Sequence, residues 1–242
     1  MQDTKASYVV NFMIRHFLLA NISDPLSDDS RGYSPYTLKF SGTNTTGQIN
    51  YFDRKFASGS VPVVKVNDVV RTPTVDYVID TTNLTLTWTA AYTPPTGTDN
   101  IEVTYQAIKP WIIQDYNYVS NYIFPLVQID EVNIDYKNFQ VGEYYNYASG
   151  AGNWVKNKTK IIVRNRQNSN AYDYDGIYLK NMDLVSQIAE EIKIYFKTNT
   201  NPAKWQFYRW NIENVQRVRT EEDKGILRKD LDAELIYFDN TV

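Results

Sequence analysis

From Met182 to Phe196 the apolar residues Met182, Val185, Ile188, Ala189, Ile192 and Phe196 recur at steps of three and four, while Gln187, Glu190, Glu191 and Lys193 fall off the stripe. That periodicity defines a helix with one core-seeking face, which needs an apolar surface to cover it. The chain offers one directly afterwards. The closing run places Leu227, Lys229, Leu231, Ala233, Leu235 and Tyr237 on one side, and Arg228, Asp230, Asp232, Glu234, Ile236 and Phe238 on the other. This is the pattern of a half-buried strand. Trp205 to Val218, rich in aromatic and β-branched residues, supplies a second strand, with Glu221, Glu222, Asp223, Lys224 and Gly225 as a charged turn between them. The stretch from Ile177 to Phe238 therefore predicts a helix packed on an antiparallel pair. Asp175 and Gly176, or Asn181, are placed to cap the helix start, and Asn199 to Pro202 stop it near Lys197.

A second helical stripe opens the chain. Ala6 to Asn21 carries Tyr8, Val9, Phe12, Met13, Ile14, Phe17 and Leu18, interrupted by Asn11, Arg15 and His16. Its polar side has too little lysine and arginine for a membrane-surface helix, so core packing is expected. Ser23 to Pro35 reads as an exposed linker. From Tyr36 to Tyr105 the pattern becomes short alternating runs. Val63, Val64 and Val66 meet Val69 and Val70 across Asn67-Asp68, a two-residue hairpin signal. Asp76 to Ile79 and Leu84 to Trp88 flank a turn at Asp80 to Asn83, and Ile101, Val103 and Tyr105 form a last strand. Residues 35–108 are thus expected to be an inserted all-β domain, a sandwich or small barrel. Residues 1–34 and 109–242 form the body. Its further strands are expected at Tyr122 to Asp135, with Pro125 at an edge or start, at Val141 to Tyr147, and at Thr159 to Arg166. The fold class expected is α+β, a mixed or antiparallel sheet flanked by the N-terminal helix and the long helix of the C-terminal half.

Composition narrows the chemistry. The 242 residues contain no cysteine, one histidine and a formal net charge of −3, so disulfide and thiolate metal sites are ruled out and a basic nucleic-acid-binding surface is not indicated. Twenty tyrosines, against 10 Phe and 5 Trp, suit both strands and surfaces buried between subunits. No run is long enough to span a bilayer, and Met1 to Ser7 lacks the basic start of a secretory signal, so an unexported chain without membrane contact is expected. The Asn-x-Ser/Thr triplets at Asn21, Asn44, Asn83 and Asn157 then carry no weight.

Asp173, Asp175 and Gly176 resemble part of a calcium loop, but that alignment puts Ala171 at the first ligand position and Met182 at the last, where the bidentate acid belongs. His16 lies in an apolar helix without a second ligand type and reads as structural. Glu190 and Glu191 are adjacent on a helix and diverge. No phosphate loop, nucleophile elbow or metal-spaced pair occurs, and neither catalysis nor a cofactor is expected. What remains is charge on strands. Arg164 with Arg166, and Arg217 with Arg219, share a face at a spacing of two. They are candidates for a subunit interface, paired with Glu221, Glu222 and Asp223, or for the wall of a pore that passes DNA.

The order of these elements resembles the tail terminator (tail completion) proteins of long-tailed viruses. The resemblance lies in Phe124-Pro125-Leu126-Val127 at an early strand, Lys160-Ile161-Ile162-Val163 at a mid-chain strand, the helix Asp183 to Phe196, and the ending from Ile226 to Leu235. It covers Ala6 to Asn21 and about Trp111 to the C-terminus. It implies an α+β protomer of the virion neck that forms a ring, hexameric in the family. Such a ring caps the last ring of the tail tube and joins it to the head completion or connector protein, with non-specific DNA contact possible in the lumen. The segments Val64 to Val70, Asp76 to Asp80 and Ile101 to Tyr105 are similar to small β domains of phage structural proteins, and this insertion departs from the usual terminator pattern. Other expectations are a different neck or baseplate adaptor, or a carbohydrate-binding host-attachment module with exposed Tyr and Trp as sugar platforms.

Overall fold

The computed structural model describes residues 6–114, 122–137, 153–167, 172–174, 177–199, 207–221 and 225–239. In chain order the helices are α1 (Ala6–Asn21), α2 (Asp28–Arg31) and α3 (Asn181–Thr198). The strands are β1 (Tyr33–Gly42), β2 (Ile49–Tyr51), β3 (Val63–Val66), β4 (Val69–Val70), β5 (Tyr77–Asp80), β6 (Thr85–Trp88), β7 (Gly97–Ile108), β8 (Ile112–Ile113), β9 (Leu126–Lys137), β10 (Asn153–Arg166), β11 (Tyr172–Tyr174), β12 (Ile177–Leu179), β13 (Phe207–Val215), β14 (Arg219–Glu221) and β15 (Ile226–Asp239). The chain is α+β, mostly strand, and divides into two compact units: His16–Pro110, and Met1–Arg15 with Trp111–Val242.

The unit His16–Pro110 holds two antiparallel sheets, ordered β1-β7-β3-β4 and β2-β6-β5. Alternation buries Val64, Val66, Ile101, Val103, Leu86 and Trp88. Phe52, fully buried just after β2, sets its ring edge against Phe40 of β1 and Tyr105 of β7. The β3–β4 hairpin turns on Asn67 and Asp68 at φ 49° and 65°, the left-handed values that a two-residue hairpin turn of this kind requires. At the next turn, Asp80 Oδ1 accepts from the Thr82 and Asn83 amides at 2.9 Å each. His16 is structural: it is buried, its Nδ1 lies 2.8 Å from the Phe52 carbonyl oxygen, and its ring meets Tyr51 edge-on.

Ser23 to Pro35, expected as an exposed linker, is exposed at Ser23, Ser27, Asp28, Asp29, Ser30, Tyr33 and Pro35, but it is anchored. Ser27 caps α2, accepting from the Ser30 amide, and the Arg31 guanidinium is buried on Asp24, donating from Nε and Nη2 at 2.7 and 2.8 Å. A buried, forked arginine–carboxylate pair converts a polar stretch into an anchored one.

The other unit is built on a sheet ordered β13-β15-β10-β9-β8, with β14 also pairing β15. Among the described residues of this sheet, β8 runs parallel to its neighbour β9 and the other pairs are antiparallel. Pro125, joined to Phe124 by a cis peptide, stands just before β9. The closing strand β15 is internal, between β10 and β13. Helix α3 packs on β10, β13 and β15, burying Leu184, Val185, Ile188, Ala189, Ile192 and Phe196 toward a sheet that buries Ile161, Val163, Leu231, Ala233 and Leu235. The Phe196 and Trp210 rings lie 4.4 Å apart. Each large side chain covered here contributes about 1.5–3 kcal/mol before ordering costs.

Three details of this region differ from expectation. Met182 is 54% exposed and Leu184 is buried in its place; at about 100° per residue the two flank the stripe on opposite margins, and the sheet covers only one of them. The N-cap position is Lys180, which makes no side-chain cap bond, with Asn181 following as the first helical residue at φ 52°. Glu221 ends a short strand rather than opening a turn. The strand expected at Val141 to Tyr147, and the capping candidates Asp175 and Gly176, lie outside the described residues. No helix among the described residues is long and apolar enough to cross a membrane.

Candidate functional site

Alternation on β10 and β15 gives the body sheet two unlike faces. One carries the buried Ile161, Val163, Leu231, Ala233 and Leu235; the other mixes charged and apolar residues, with Lys156, Lys158, Lys160, Arg164 and Arg166 flanking the buried Ile162 on β10, opposite Ile236, Glu234, Asp232, Asp230, Arg228 and the buried Ile226 on β15. The register pairs Lys158 with Glu234 and Lys160 with Asp232, the favourable cross-strand arrangement. Another rung sets like charges opposite each other. Arg164 stands opposite Arg228, which stands opposite Arg219 of β14, so three arginines cross three strands in a row.

Two carboxylates and an amide hold this row. Arg164 donates from Nε to Glu221 Oε1 at 2.8 Å and from Nη1 to Gln128 Oε1. Arg228 forks onto Asp230 through Nε and Nη2, with Nη1 3.5 Å from Glu221 Oε1. Arg219 donates from Nη2 to Asp230 Oδ2 at 3.0 Å. The Asp230 side chain is 0% exposed and that of Arg164 is 3% exposed, whereas Arg219 is 56% exposed. Charge-assisted bonds to buried carboxylates fix the inner guanidiniums and leave Arg219 facing outward.

A second charged contact lies farther along β15. Lys156 pairs with the buried Glu234, and Glu213 of β13 shares a hydrogen bond with Glu234 that pushes the Glu213 carboxyl up from its ordinary value; burial and the Glu234 charge push the same way, and Lys156 and Lys158 pull it down. On α3, burial alone raises the Glu191 carboxyl and pushes Tyr195 up to about 12.

The seven residues singled out from the sequence separate in the structure. Arg164 and Glu221 come together inside one chain. Arg219 joins them through Asp230 and Arg228. Arg166 is exposed, its guanidinium carbon 5.4 Å from the centroid of the Phe124 ring. Arg217 is exposed in a segment tied down where the Gln216 amide donates to the Asp230 carbonyl at 2.9 Å. Glu222 and Asp223 lie outside the described residues. Sequence reasoning passed over Gln128, Arg228 and Asp230. The last two stood in plain view on the polar side of the closing strand, but only the register brings them to Arg164 and Arg219.

No protein-family model and no curated protein sequence matches the chain. The charged face is an ionic network in which Arg164, Asp230 and Glu234 are buried while Arg166 and Arg219 are exposed.

Proposed function

We propose that the protein is a structural component of a tailed virus, a tail terminator of the neck. It forms a ring that ends the tail tube and receives the head completion or connector protein. The observation that carries the reading is the layout of the body: a long amphipathic helix laid on an antiparallel sheet whose last strand is internal, in the element order that resembles the terminator family. An internal closing strand ties the end of the chain into the sheet, giving a stiff protomer for a repeating ring. The mechanism is steric: one ring face matches the tube and stops its growth, and the other presents the seat for the connector. Residues 35–108 decorate the ring or touch a neighbouring neck protein.

The attachment-module alternative relies on exposed Tyr and Trp as sugar platforms; Trp88, Trp111 and Trp210 are buried, and Tyr33 is 57% exposed. The test is electron microscopy of the full chain mixed with isolated tail tubes of the same virus. Density with six-fold symmetry at one tube end is expected. Tubes with bare ends, together with binding of the chain to cell-wall glycans, would replace this reading with the attachment module.

A further inference from the structure

The outer strands of the two larger sheets are blunted, with one exception. In the sheet ordered β13-β15-β10-β9-β8, β13 is interrupted by register shifts at Phe207/Arg209 and Ile212/Asn214, and β8 is two residues long. In the sheet ordered β1-β7-β3-β4, β4 is equally short, and Thr72 just beyond it donates its N–H to Asp76 Oδ2 and accepts from the Asp76 amide. Strand β1 is different. It pairs β7 without a register shift from Tyr33 to Phe40, and no strand among the described residues pairs its other edge.

The ladder fixes which peptide groups face that open edge. The Arg71 N–H donates to the Val64 carbonyl at 2.9 Å, so Val64 turns toward β4, and Val63 and Lys65 turn toward Thr104 and Glu102 of β7. The Ala57 N–H takes the Gln106 carbonyl on the same side of β7. Ile101, Val103 and Tyr105 are left to bond Phe40, Leu38 and Tyr36, so Pro35, Thr37 and Lys39 direct their peptide groups outward. Pro35, which has no N–H to give, sits where the β1–β7 ladder needs none. The outward groups of Thr37 and Lys39 have no partner among the described residues.

We propose that the β1 edge takes an extended segment of a partner protein as a further strand of the sheet, with apolar residues at alternate positions and a carboxylate opposite Lys39. The inward side chains Tyr36, Leu38 and Phe40 are half-buried while their β7 partners Tyr105, Val103 and Ile101 are buried, so alternate apolar residues extend the same layer. On the outer side Lys39 and Lys65 share one carboxylate, Glu102, at 3.8 and 3.9 Å, which leaves this row one cation in excess. A second copy is the poorer occupant, since its β1 brings the same lysine and the same missing N–H to the contact. A partner strand with a carboxylate turns that lysine into an attraction. This edge goes beyond the ring reading, and its test needs only the chain itself.

The probe is a fluorescent peptide with the β7 sequence Asn100 to Ala107, which carries alternate apolar residues and sets Glu102 opposite Lys39. Its anisotropy is titrated with the full chain, with Thr37→Pro, whose missing N–H faces only the open edge, and with Lys39→Glu. Circular dichroism monitors the fold. Saturable binding is expected, about tenfold weaker for each variant. A peptide carrying Glu102→Lys is expected to bind the wild type about tenfold more weakly and to recover on Lys39→Glu. Lys39 is exposed, so this charge exchange decides the matter even where Thr37→Pro fails to fold. No saturable binding, or binding indifferent to the charge exchange, would overturn the proposal. Dimers of the chain alone that are lost in folded Thr37→Pro would assign the edge to a second copy and overturn it as well.

Discussion

Asp230 is the residue on which the charged face depends. Its side chain is 0% exposed and accepts from both Arg228 and Arg219. Its loss removes charge-assisted hydrogen bonds to a half-buried Arg228 that keeps Glu221 nearby and to an exposed Arg219, at a cost of roughly 1.5–3 kcal/mol. Asp230→Asn should lose stability on that scale in urea unfolding. Arg219→Gln should lose less than about 1 kcal/mol, because an exposed guanidinium recovers water. Equal losses would mean that the row is not graded by burial as described. Glu213 gives a pH test. Its folded value lies above the ordinary 4.5, so the stability it contributes is full below its unfolded pKa and is lost as pH rises through the folded value. Glu213→Gln, which mimics the protonated acid, should therefore melt higher than wild type at pH 7, with the difference vanishing below about pH 4. These features were only half legible in the sequence. Alternation put Arg228 and Asp230 on the polar side of the last strand, but the partner across each rung depends on register, which no local pattern fixes.

Helix α3 was legible because its signal is local: six buried positions within eighteen residues lie on one face. Its margins were less so, since Met182 and Leu184 flank the stripe equally and only the extent of the sheet beneath decides between them. Leu184→Ala should cost about 2–5 kcal/mol, and Met182→Ala less than about 0.5 kcal/mol, by denaturant unfolding. The reverse order would place the sheet under the wrong margin. Ile188→Asp should abolish cooperative unfolding by forcing an unpaired carboxylate under the helix. The β3–β4 hairpin was readable for a similar reason: Asn67 and Asp68 tolerate positive φ, and the flanking valines set the pairing. The exposure of much of Ser23 to Pro35 was legible, but its anchoring was not, because that rests on Arg31 reaching Asp24, seven residues away, and polar composition does not reveal which charges will be buried.

At the scale of the whole molecule, the alternation of helical and strand periods specified an α+β chain with a β-rich stretch between helix α1 and the body strands. Assembly is a different matter, because a surface that is complete only against a partner looks, in one chain, like an excess of charge. The central claim is that the chain ends tail-tube growth. The direct measurement is tube length by electron microscopy when the full chain is added to polymerising tail-tube protein of the same virus. The account predicts shorter tubes, each closed at one end by a six-fold ring. Tubes of unchanged length with unmodified ends would contradict it.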